Sequence, residues 1–199
     1  MGAARGNPPW TVTLVCGASG VGKSRLARPL AARYGVPLGE ADDVVTAMKA
    51  LTTAEQFPAL HYWDTHPEAG AWAPEKIVEL HREVAEALRP GFEAVIADHV
   101  EYAAPVVLEG DYLDPSLAAG FDGEVRAVVL AELNEDRIVA NYAQREPEWP
   151  EQRHRARVSV LLSALLAERA HAAGMPVVSA RPWHGGLDRV DRALRSWAA

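Results

Sequence analysis

Two rhythms of apolar and polar positions alternate along this chain. Short β-branched or aliphatic runs read as buried strands, and longer stretches with apolar residues three and four apart read as helices. Thr11-Val12-Thr13-Leu14-Val15-Cys16 is the clearest run, with others at about 36–39, 105–109, 124–131 and 176–180. Val36-Pro37-Leu38-Gly39 is the weakest of these. Helical spacing begins after the first run with Arg25-Leu26-Ala27 and Leu30-Ala31-Ala32, although Pro29 inside that helix costs about 3 kcal/mol. From Glu75 to Leu88, the residues Ile77, Leu80, Val84, Ala87 and Leu88 share one face. Pro90-Gly91 is expected to end that helix, and a second stretch follows with Phe92, Val95, Ile96 and Val100 on one side. Glu135 to Arg145, Gln152 to Ala173 and Leu187 to Trp197 complete the helices.

Strands alternating with helices predict an α/β fold, a five-stranded parallel sheet flanked by helices in one doubly wound domain spanning 1–199. Residues 1–9 read as a loose tail, because they lack the apolar core of a signal peptide.

The first strand leads into Gly17-Ala18-Ser19-Gly20-Val21-Gly22-Lys23-Ser24, a full match to the phosphate-binding P-loop. Gly17 and Gly22 let the backbone turn and approach a polyphosphate without a Cβ in the way. Successive backbone N–H groups then form an anion nest, and the positive end of the following helix, which begins near Arg25, faces the same point. Gly17 to Arg25 are the expected nucleotide contacts, with Lys23 at the β- and γ-phosphates of ATP and Ser24 at Mg²⁺. Strand, loop and helix in that order are the context the motif requires.

In parallel α/β sheets a site forms where the strands end. Two acidic segments fall there. Glu40-Ala41-Asp42-Asp43 follows the second strand, and Glu109-Gly110-Asp111 follows the third. A kinase needs one carboxylate for the proton of the attacking hydroxyl and others for the metal. Asp42 is therefore the expected general base and Asp43 its neighbour at the substrate, one of the pair also suiting a helix N-cap. Ser24, Asp42 and Glu109 are the expected metal contacts, and Glu109, Asp111 and Tyr112 the expected substrate contacts.

Residues 134–157 are rich in arginine. Arg137, Asn141 and Arg145 share one helix face, Arg153 and Arg157 repeat that spacing, and the prolines at 147 and 150 interrupt the helix. This pattern suits a lid that brings Arg137 or Arg145 over the phosphates. Residues 49–74 form an insert with His61, Tyr62, Trp63, Asp64, His66 and Trp72, polar aromatics suited to a substrate pocket, with His61 and Trp63 as the candidate contacts. His61 and His66 lack the partners a metal site needs. Arg181, before Pro182 and Trp183, follows the last strand where a nucleotide base would stack.

Composition narrows the partners. Lys plus Arg number 20 against 27 Asp plus Glu, a net charge of −7, which argues against nucleic acid. No apolar run approaches the length of a membrane span. Cys16 is the one cysteine, so no internal disulfide forms, and a cytoplasmic protein is expected, monomeric or homodimeric. Cys16 reads as a small buried thiol whose nearness to the P-loop brings sensitivity to alkylation.

The order of elements resembles that of small P-loop kinases of the nucleoside and shikimate kinase type. Ala41-Asp42-Asp43-Val44-Val45-Thr46-Ala47-Met48 resembles the acid segment after strand two in chloramphenicol phosphotransferases and 2-phosphoglycerate kinases. The resemblance implies that Asp42 lies beside the accepting hydroxyl. Val107-Leu108-Glu109-Gly110-Asp111-Tyr112-Leu113-Asp114-Pro115 resembles a 2-phosphoglycerate kinase segment, except that those proteins usually carry a histidine and an apolar residue where Asp111 and Tyr112 stand. The implied activity is an ATP- and Mg²⁺-dependent phosphotransferase acting on a small-molecule hydroxyl, of an antibiotic or other natural product or of a sugar or glycerate metabolite. The alternative is a P-loop NTPase that acts as a nucleotide-dependent switch or regulator with a protein partner.

Overall fold

The computed structural model describes residues 8–197, so nearly all of the tail expected over 1–9 lies outside the described residues. Its strands are β1 (Val12–Cys16), β2 (Leu38–Glu40), β3 (Val106–Gly110), β4 (Val125–Ala131) and β5 (Val177–Ser179). They form one sheet in the order β2-β3-β1-β4-β5, with every neighbouring pair parallel. β1 sits at the centre and every residue in it is buried, which is why it reads as an uninterrupted apolar run. β2 is three residues long and half-buried, in keeping with its weak signal.

The helices are α1 (Lys23–Tyr34), α2 (Ala41–Leu51), α3 (Tyr62–Thr65), α4 (Pro74–Glu101), α5 (Glu135–Arg145), α6 (Arg153–Ala172) and α7 (Gly186–Ser196). Two pairs, α1 with α7 and α4 with α6, flank the sheet. Short 3₁₀ turns span Pro67–Ala71 and Pro115–Gly120. Among the described residues no helix is long and apolar enough to cross a membrane.

One expectation fails. Pro90-Gly91 does not end a helix; α4 runs unbroken through both residues. Ile77, Leu80, Val84, Leu88, Phe92 and Ile96 are buried at intervals of three and four, so one apolar stripe spans both halves. Burying such side chains contributes about 1.5–3 kcal/mol each, which outweighs the roughly 3 kcal/mol cost of one internal proline. Gly91 has its own packing reason, since a Cβ there would lie 3.0 Å from the Met48 sulfur of α2. Pro29 is tolerated inside α1 in the same way, flanked by buried Leu26, Ala27, Leu30 and Ala31.

Candidate functional site

The P-loop, the acids after β2 and those after β3 meet at the carboxyl edge of the sheet. Ser19, Lys23 and Ser24 line one cleft together with Asp42, Glu109 and Asp111. Glu40 also lines it, the first residue of the acidic segment that follows the second strand. Parallel pairing explains the convergence, because β1 and β2 both pair with β3 and all three strands end together.

Local geometry holds the loop in shape. Gly22 caps α1 with φ of 101°, a left-handed conformation. Its missing Cβ would lie 2.3 Å from the Trp183 ring, so the loop after β5 packs directly on the P-loop. The Arg25 and Arg181 guanidinium carbons lie 4.4 and 4.7 Å from the Trp183 ring centroid. Asn141 of α5 ties these parts together. Its amide donates to the Gly20 carbonyl at 2.8 Å, and its own oxygen accepts from Arg181 Nη2 at 2.8 Å. A cavity of about 200 Å³ opens between these groups, with Arg25, Gln144 and Arg145 in its wall. Asn141 carried a sequence signal only through sharing a helix face with Arg145.

The other end of the cleft is built around Glu109, which is 4% exposed and faces Ser24 and Lys23. Burial raises its pKa above the ordinary carboxylate value, while Ser24 and the Lys23 charge oppose the rise. A hydroxyl and carboxylates with room for water match the needs of Mg²⁺, which keeps several waters and takes few protein ligands. Ser24 and Glu109 therefore fit that ion, with Asp42 in the wall of the same cleft. The described residues hold no cluster of three or more histidine, cysteine or acidic ligands.

Asp42 lies in the first turn of α2, and the N-cap is Glu40, whose side chain makes no capping bond. Neither Asp42 nor Asp43 is consumed as a cap. Partial burial in the cleft raises the Asp42 pKa first, the negative Asp111 adds to it, and Lys23 opposes both. Gly110 is what lets α2 come this close, since a Cβ there would lie 2.3 Å from the Cβ of Ala41. Gly110→Ala is expected to destabilise the fold by about 1–3 kcal/mol through overpacking, read as a lower urea midpoint at unchanged slope. An unchanged midpoint would show that α2 yields without cost.

The remaining candidates separate. Arg145 lines both the P-loop cleft and the neighbouring cavity, and pairs with Glu146 at 2.6 Å. Arg137 does not line the cleft; it reaches Glu132 at 3.4 Å, a buried acid just past β4. Arg153 is held by Glu135, Asp136 and Glu151. His61 contacts Thr52 Oγ1 at 3.0 Å and Trp63 donates to the Tyr112 hydroxyl at 3.2 Å, so of the two only Trp63 touches another candidate. Tyr112 in turn stacks on His81, with centroids 4.3 Å apart. His81 sits in an ordinary amphipathic helix pattern, and nothing in the sequence singles it out. Cys16 is fully buried and its thiol is pushed up strongly by burial, so it is packing and not a reactive group.

Neither a protein-family model nor a curated protein matches the sequence. Solved structures do match in fold. An uncharacterized protein from Eubacterium ventriosum superposes with a TM-score of 0.52 at 12% identity, covering 94% of this chain and 99% of its own. TT1252 from Thermus thermophilus gives 0.51 at 17% identity, covering 94% and 97%. Shikimate kinase from Acinetobacter baumannii, solved with shikimate, gives 0.50 at 16% identity, covering 94% and 92%. The chain thus has the α/β fold of the small P-loop kinases of shikimate kinase type.

Proposed function

We propose that this protein is an ATP-dependent phosphotransferase that phosphorylates a hydroxyl of a small molecule. The observation that carries the reading is the meeting of Lys23 and Ser24 with Asp42 and Glu109 in one cleft. Asp42 Oδ accepts the proton of the attacking hydroxyl. Lys23 and Arg145 offset the negative charge that grows on the transferred group. Bound Mg²⁺, held by Ser24 and Glu109, would supply further neutralisation of phosphate charge. Arg25, Asn141 and Trp183 form the wall on the nucleotide side, and Arg181 supports it through its bond to Asn141 and its contact with the Trp183 ring. The acceptor classes compatible with the chemistry are polyhydroxyl metabolites and natural products, antibiotics among them. A lone buried thiol and dependence on ATP suit a cytoplasmic protein.

Acceptor-dependent ADP release tests this directly. Sugars, glycerates, nucleosides and aminoglycosides are offered with ATP and Mg²⁺, and at least one is expected to raise ADP release well above the acceptor-free rate. Turnover that no hydroxyl compound stimulates but a protein partner does would assign the fold to a nucleotide switch instead.

A further inference from the structure

If the protein is the kinase proposed, a premise on which this inference rests, Arg145 is the lid cation of the transfer step. It is the last residue of α5 and lines both the P-loop cleft and the adjoining cavity. Its neighbours place it there. Tyr142, three residues back, is buried, with its hydroxyl 2.9 Å from that of Ser159 in α6. A Cβ on Gly20 of the P-loop would lie 2.9 Å from the Tyr142 ring. The Arg145 guanidinium carbon lies 5.1 Å from the centroid of the same ring. The P-loop, α5 and α6 thus meet on one side chain beside this arginine.

The guanidinium fork of Arg145 is occupied by the next residue. Nε and Nη2 both donate to Glu146 Oε1, at 2.9 and 2.6 Å. Glu146 caps the end of α5 and also accepts from the start of α6. Gln152 Nε2 donates to its Oε2 at 2.7 Å, and Arg155 Nη1 donates to the same oxygen at 2.9 Å. The Gln152 bond, then Arg145 and Arg155, hold this carboxyl below the ordinary glutamate range, so it is ionised at neutral pH. Two guanidinium groups therefore share one carboxylate. If Arg145 leaves, Arg155 and Gln152 still satisfy Glu146, and no charge is left without a partner. Arg145 is exposed, and an exposed ion pair is weak enough to be exchanged. A bound triphosphate offers the same fork several anionic oxygens.

We propose that Glu146 is a positioning residue that holds the Arg145 fork in the nucleotide-free protein and yields it to the phosphates, so that nucleotide affinity reflects a competition between carboxylate and phosphate for one guanidinium. Arg155 sets the terms of the exchange. It draws off part of the Glu146 charge while Arg145 is bound, and keeps Glu146 paired once Arg145 has moved.

The test is calorimetry of the full chain with ATP and Mg²⁺, with a thermal melt of each variant to establish that it is folded. Glu146→Gln keeps the shape but loosens the hold on Arg145, and is expected to lower the Kd for ATP about threefold. Arg155 lines neither the cleft nor the cavity. Arg155→Ala concentrates the Glu146 charge on Arg145 and is expected to raise that Kd about threefold. Arg145→Ala weakens ATP binding, and Glu146→Gln added to it should bring no further change. A staple with a merely structural role would move Glu146→Gln and Arg155→Ala in the same direction, and that result overturns the inference. So does a Kd indifferent to folded Glu146→Gln, or a gain that survives in the Arg145→Ala background. If Glu146→Gln does not fold, Arg155→Ala decides alone, and a Kd that stays or falls overturns the inference. In each of these cases the kinase reading stands. ATP that fails to bind the unaltered chain overturns that reading and this inference with it.

Discussion

Asp42→Asn is expected to lower kcat by about 10²–10⁴-fold while ATP binding, measured by calorimetry, stays close to that of the unaltered protein. Asparagine keeps the volume and the helix turn but cannot take a proton. Asp42 is not a helix cap, so the substitution removes chemistry and little structure. The pH profile supplies a sharper check. A general base works only when ionised, so kcat/KM should rise as pH rises through its pKa. Partial burial and Asp111 place that pKa above the ordinary aspartate value, and Lys23 limits the rise. The acid limb should therefore lie above the ~3.9 of a free aspartate, and Asp111→Asn should move it to lower pH by removing a like charge. Full turnover by Asp42→Asn with a confirmed acceptor would transfer the role to another group.

Lys23→Ala is expected to have the second large effect, a loss of about 10²–10³-fold in kcat together with weaker ATP binding. Lys23 begins α1 at the P-loop, and its ammonium donates to the Ala18 carbonyl at 3.0 Å across the loop it serves. It also lines both the P-loop cleft and the adjoining cavity, so one point charge faces both sides. Lys23→Arg should not rescue activity, because a planar guanidinium fork differs in size and donor geometry from a compact ammonium. Retained activity in either variant would mean that the loop does not hold the transferred phosphate.

Much of this site was legible because its chemistry is local in sequence. Gly17 to Ser24 is one uninterrupted segment, so loop, nest and helix start are written in neighbouring residues. Asp42 and Glu109 were legible for a related reason. Each directly follows or ends a strand, and in a parallel sheet those ends share one edge. The arginines were less so. Equal spacing on α5 put Arg137, Asn141 and Arg145 on one face, but along an axis that rises about 1.5 Å per residue they reach different neighbours. Arg137 meets Glu132, Asn141 meets the P-loop, and Arg145 meets the cleft.

The chain order of apolar runs was enough to determine the five strands, the P-loop with the helix after it, and the α/β class, because backbone periodicity and glycine geometry act over a few residues. Tertiary structure alone decided that Trp183 packs on Gly22, that α4 continues through Pro90, and that His81 is left unpartnered beside Asp111. Each of those depends on which surfaces meet across many residues, where burial outweighs local preference, and no local pattern encodes that balance.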